Sequence, residues 1–203
     1  IVALFLLSFG IKSEAVGQPC TNMKDTLIID GCPYEVDLCV YCGLTYPGYV
    51  KVNQVKQLTN CASPLDPNEL LQQAFTQLSV SPYFWFNYCN PTLPPCPNKK
   101  KLNFHINVCW KIILYYHDGT SGSEEYIYEP CSDEYCDVEI GYCRDAEGNL
   151  VSEISNVDNT HSGTISCKIE GSVIVKPDYT NPFGTETQCY ILHTPCNPDD
   201  FIW

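Results

Sequence analysis

Cys39-Val40-Tyr41-Cys42 has the spacing of a redox dithiol or of half a zinc site. Redox chemistry needs such a motif at a strand end that opens a helix, whereas these flanks are β-like and Gly43 follows. A zinc site would call for a second Cys-x-x-Cys pair, which the chain lacks. The motif therefore reads as two structural cysteines on opposite sides of a strand, each bonded elsewhere. His105, His117, His161 and His193 contain no pair at the helical spacing of a metalloprotease. Ser121, Ser162, His117, His161 and Asp118 supply the residue types of a hydrolytic triad, but no nucleophile-elbow sequence frames either serine. A carboxylate pair for glycoside hydrolysis is too loose a requirement to single out residues in a chain with 24 acids. A carboxylate-dependent hydrolase thus stays the third of three readings.

Charge is patterned more distinctly. Glu124, Glu125, Glu129, Asp133, Glu134, Asp137 and Glu139 follow one another without an intervening Lys or Arg, and Lys99-Lys100-Lys101 precedes them. An acidic run of this kind is ordinarily a solvated face. Its sharper readings are a loop-bound calcium ion, since no EF-hand spacing occurs, and a contact with the lysine run. If those two patches met on different molecules, the contact would be heterologous and its repetition an open filament. No other cofactor is expected.

A third cluster is aromatic. Tyr83-Phe84-Trp85-Phe86 stands in a stretch, Ser81 to Lys101, that reads as a Pro-rich loop, where Tyr83 and Trp85 would form a stacking platform for a glycan.

These groups must be held by elements that read as mainly β. Turn signals at Asp30-Gly31, Cys42-Gly43 and Pro47-Gly48 punctuate a first β block from Thr26 to Val55, in which Val36, Leu38 and Val40 alternate as one buried face. A single helix is expected over Leu65 to Leu78, capped by Asp66 with Pro67 behind it. Its apolar stripe is Leu70, Leu71, Ala74, Phe75 and Leu78. A second block contains Leu102 to Tyr116, Tyr126 to Tyr128, Asp137 to Tyr142, Leu150 to Val157, Thr164 to Val175 and Gln188 to Leu192. Together they predict a disulfide-reinforced antiparallel β-sandwich or open barrel with one amphipathic helix.

Composition sets the compartment. The apolar run at Ile1 to Phe9, with Ser13-Glu14-Ala15 behind it, reads as the remnant of a signal peptide over 1–15, too short to span a bilayer. The mature chain is expected to begin near Val16 as one body over 16–203, with two packed subdomains over 16–80 and 102–203 as a variant. All 14 cysteines follow that point: Cys20, Cys32, Cys39, Cys42, Cys61, Cys89, Cys96, Cys109, Cys131, Cys136, Cys143, Cys167, Cys189 and Cys196. An even count in an exported chain implies disulfides whose pairing the sequence leaves open. A chain of this length can bury a core without them, so they read as reinforcement. A net charge of −13 argues against nucleic acid as a partner.

The stretch from Gly31-Cys32-Pro33-Tyr34 to Cys42-Gly43, with Cys131 to Cys143 and Arg144-Asp145-Ala146-Glu147-Gly148-Asn149-Leu150, resembles uncharacterised cysteine-rich secreted proteins of Bacteroidetes and Ignavibacteria-type bacteria. That resemblance implies an extracellular or cell-surface location and brings no catalytic residues. The absence of any Asn-x-Ser/Thr acceptor agrees with a bacterial source. The expectation is a secreted structural or adhesive protein, a subunit of a filament or surface matrix. It would assemble by strand edges, by the charge contact of Lys99, Lys100 and Lys101 with Glu124, Glu125 and Glu129, and by the apolar terminus Phe201-Ile202-Trp203. The alternative is a monomeric glycan-binding module.

Overall fold

A computed structural model describes residues 20–43, 47–61, 65–158, 167 and 174–191. The signal segment, His161, His193, Ser162, Cys196, Phe201, Ile202, Trp203 and most of the strand expected over Thr164 to Val175 lie outside the described residues.

Strands β1 (Thr21–Ile29), β2 (Cys32–Tyr41) and β3 (Gly48–Gln57) form an antiparallel meander. The first hairpin turns through Asp30 and Gly31, whose φ angles of 50° and 77° are those of a two-residue turn that matches strand twist. In β2 the side chains alternate as the sequence requires, with Tyr34, Val36, Leu38 and Val40 buried.

Two helices follow where one was expected. In α1 (Pro67–Val80) the Asp66 carboxylate accepts the Asn68 N–H at 2.9 Å and Pro67 fills the first turn. The buried stripe is the one read from sequence, and the helix stops where Pro82 disfavours helical geometry at Ser81. The aromatic stretch read as loop is instead α2 (Tyr83–Cys89), closed by Asn90 in the left-handed region at φ 43°.

The stretch Leu102 to Tyr116, read as one strand, is two: β4 (Lys100–Asn107) and β5 (Cys109–Tyr116). The chain changes arms of the sheet between them, at Val108, whose N–H reaches the Glu134 carbonyl at 3.0 Å. The remaining strands are β6 (Glu125–Pro130), β7 (Tyr135–Arg144), β8 (Leu150–Asp158) and β9 (Tyr190–Ile191).

All nine belong to one open mixed sheet that forks at β3. One edge of β3 pairs with β2. Its other edge is divided, parallel to β4 at Gly48–Lys51 and antiparallel to β6 at Val55 and Lys56. From there one arm runs β4-β7-β8 and the other β6-β5-β9. The two β blocks of the sequence therefore share one sheet, and the β3–β4 pair is the parallel exception to an otherwise antiparallel arrangement.

Both helices cover one face. Phe75 meets Trp110 edge-on at 6.2 Å, Phe84 meets Phe104 at 6.4 Å, and Trp85 lies 5.5 Å from Tyr142, whose hydroxyl donates to the Ser79 carbonyl at 2.6 Å. These side chains belong to one apolar core that runs from Leu27 in β1 to Tyr190 in β9.

Among the described residues the cysteines form Cys20–Cys39, Cys32–Cys61, Cys42–Cys89, Cys96–Cys143, Cys109–Cys167 and Cys131–Cys189, and Cys136 is bonded as well. The Cys-x-x-Cys motif behaves as read: Cys39 goes to Cys20 and Cys42 to Cys89. Cys32 and Cys42 flank β2, so their bridges clamp the helical segment to that strand at its entry, through Cys61, and at its exit, through Cys89. Closing loops of 29 and 47 residues contributes about 3 to 4 kcal/mol each in the chain-entropy account.

Candidate functional site

The clamped helices make a cleft with the sheet's first edge. Strand β1 pairs only with β2 among the described residues, and Asp25, Thr26, Leu27 and Ile28 form one wall of an open cavity of about 420 Å³. The other wall is the end of α1 and the start of α2: Thr76, Gln77, Val80, Ser81 and Tyr83. A second hollow of about 350 Å³ continues along α1 over Glu69, Gln72 and Gln73 and shares Thr76 and Gln77 with the first.

Local sequence explains each position. Ser81 and Pro82 interrupt the helix, and the buried Pro82 caps α2, so that Tyr83 emerges at the corner, 66 % exposed. Ile28, outward on a strand whose Leu27 and Ile29 face the core, is 58 % exposed, and Val80 is 38 % exposed. The outward backbone of β1 is already engaged at two points. Asp25 Oδ1 takes the Thr26 N–H at 2.8 Å, and Gln77 Nε2 donates to the Ile28 carbonyl at 3.0 Å. That strand edge is blunted by side chains, as edges in soluble proteins are.

Apart from its carboxylates, the lining is hydroxyl, amide, one aromatic face and three aliphatic groups. Its carboxylates, Asp25 and Glu69, belong to different hollows, and neither hollow includes a Lys, Arg, His or Cys. Such a set can hydrogen-bond in both directions and offer a flat apolar surface; the described lining contains no nucleophile–base pair.

No family model, curated protein or solved structure matches this chain. Its functional reading rests on its own residues.

The residues singled out from sequence divide sharply. Tyr83 is in the cleft, but Trp85 is fully buried under α2 and cannot form the glycan platform expected of it. Lys101 meets the acidic run within the molecule, pairing with Glu139 at 2.7 Å, and Lys99 pairs with Glu153, while Lys100 is exposed at the start of β4. Glu124 accepts the Tyr179 N–H at 3.1 Å, Glu125 hydrogen-bonds Tyr115, and Glu129 accepts from Gln54 at 2.7 Å. The acidic run is thus spread over β6, β7 and the segments before and between them, and the two strands belong to different arms of the sheet. Among the described residues no group of three or more His, Cys, Asp or Glu side chains is placed to hold a metal ion. His105 Nδ1 lies 3.1 Å from Asp137 with the Tyr135 ring tilted against it, a pair that sequence reasoning missed because its members are 32 residues apart and meet only through the β4–β7 register.

Proposed function

We propose that this protein is an extracellular binding module for neutral glycans, and that the cleft between β1 and the α1–α2 corner is the site. The single observation that carries this reading is the exposed Tyr83 ring beside a lining of amides and hydroxyls with no cation. The C–H face of a sugar packs on an aromatic ring while its hydroxyls pair with groups that both donate and accept, a combination typical of small-ligand clefts. The absence of Lys and Arg from the lining, with the net charge of −13, disfavours sulfated and carboxylated sugars. The disulfides suit a chain that matures in an oxidising compartment, and no described helix is long and apolar enough to cross a membrane. Clamping both ends of the helical segment makes the cleft rigid before ligand arrives, which lowers the ordering cost of binding.

The test is a glycan array probed with the oxidised, monomeric full chain and with Tyr83→Ala. Binding to uncharged oligosaccharides, weakened about tenfold by the substitution, is expected. Folded native protein that captures only charged glycans, or none, would refute the proposal.

A further inference from the structure

A second aromatic surface lies at the end of β5, and its chemistry is different. Tyr116, at the end of β5, is 46 % exposed, and Phe183 is 61 % exposed. Their rings are nearly parallel, at 10° with centroids 6.3 Å apart, and His117 lies 4.7 Å from Phe183. Asp118 and Asp178 both lie within electrostatic reach of His117.

The segment that carries Phe183 is fixed from several directions. Gly184 N–H donates to the Leu114 carbonyl at 2.8 Å, Leu114 N–H to the Thr185 carbonyl at 2.9 Å, and Tyr126 hydroxyl to the Pro177 carbonyl at 2.9 Å. The bridge Cys131–Cys189 pins its far end.

Each carboxylate is held by the same small device. Asp118 Oδ1 accepts from the Thr120 N–H and hydroxyl, and Asp178 Oδ1 from the Thr180 N–H and hydroxyl. Those threonine hydroxyls keep both carboxyls below the usual carboxylate range, so both are anionic. The Asp118 carboxylate is also hydrogen-bonded by the Ser123 side chain. Gly119 N–H donates to His117 Nδ1 at 3.1 Å.

Two exposed rings beside two fixed anions, on a chain of net charge −13, are complementary to a cation with a flat or alkyl body. The same end of the molecule already seats its own lysines this way: Lys56 lies 4.2 Å above Tyr115 and Lys176 5.0 Å above Tyr126. Among the described residues no lysine or arginine lies over Tyr116 or Phe183.

We infer that the Tyr116–Phe183 surface, with Asp118 and Asp178, is a docking site for an arginine- or lysine-bearing segment of another polypeptide. A guanidinium or ammonium stacks on the rings and pairs with the carboxylates. The site is separate from the Tyr83 cleft. None of Tyr116, His117, Asp118, Asp178 and Phe183 lines that cleft. A module with one site for glycan and one for basic protein would link the two.

The experiment is calorimetric titration of the full oxidised chain with acetyl-Gly-Arg-Gly-amide and with its neutral isostere, acetyl-Gly-citrulline-Gly-amide. Binding of the arginine peptide at least about tenfold tighter than the citrulline peptide is expected. Phe183→Ala leaves every charge in place and should weaken binding about fivefold, while Tyr83→Ala should leave it unchanged. Equal binding of the two peptides would overturn the inference, as would an arginine affinity untouched by Phe183→Ala, since diffuse attraction to net charge would then suffice. Both results are independent of whether the Tyr83 cleft binds glycan.

Discussion

Tyr83 and Trp85 are two residues apart on α2, and a helical step of about 100° per residue sends them to nearly opposite sides. Tyr83 faces the cleft; Trp85 is sealed against Phe86 and Tyr142. Substitution at the two positions should therefore separate cleanly. Trp85→Ala is expected to lower the free energy of unfolding by about 3 to 5 kcal/mol, the cost of emptying a fully packed indole site. Tyr83→Ala should change it by less than about 0.5 kcal/mol, as exposed positions do. Urea denaturation of the two variants measures both. The sequence marks this tetrapeptide as aromatic and therefore important. It does not tell which ring faces water, because the surrounding prolines mask the short helix that decides it.

At the scale of elements, the cleft depends on where the helical segment is tethered. Removing Cys42–Cys89 by paired substitution to Ala should cost about 4 kcal/mol in the chain-entropy account and should raise amide exchange across α2 while β4 and β7 keep their protection. Uniform loss of protection, measured by mass spectrometry, would show that this bridge supports the whole sheet and not the corner. The elements themselves were largely legible: β2 by strict alternation, α1 by its cap and stripe, the first hairpin by Asp30-Gly31. What periodicity could not convey was connectivity. The switch of arms at Val108 interrupts no hydrophobic pattern, since Ile106, Val108 and Trp110 are all buried on either side of it. The cleft walls come from segments about 50 residues apart, which no local spacing announces.

For the whole molecule, the tyrosines that pin helices and loops to the sheet make stability sensitive to alkali. Burial, with Glu124 and Asp178 nearby, pushes the Tyr126 phenol up to about 12, and burial raises Tyr128 and Tyr142 further. A folded-state value above the unfolded one, about 10, means that the neutral phenol favours folding. That contribution is complete below pH of about 10 and is lost as pH rises through about 12. Ultraviolet difference titration should show these three ionising only together with unfolding. Ionisation of all 14 tyrosines in a folded chain would contradict the packing described.

The same rigidity underlies the functional account, in which a disulfide-clamped corner presents one aromatic ring and neutral polar groups to a sugar. Nuclear magnetic resonance of the oxidised chain with labelled tyrosine and glutamine, titrated with neutral oligosaccharides, tests this most directly. Saturable shifts are expected at Tyr83 and at the Gln77 side-chain amide, with Tyr116 and Tyr179 unmoved. Shifts confined to residues outside the cleft, or none at saturating oligosaccharide, would contradict it.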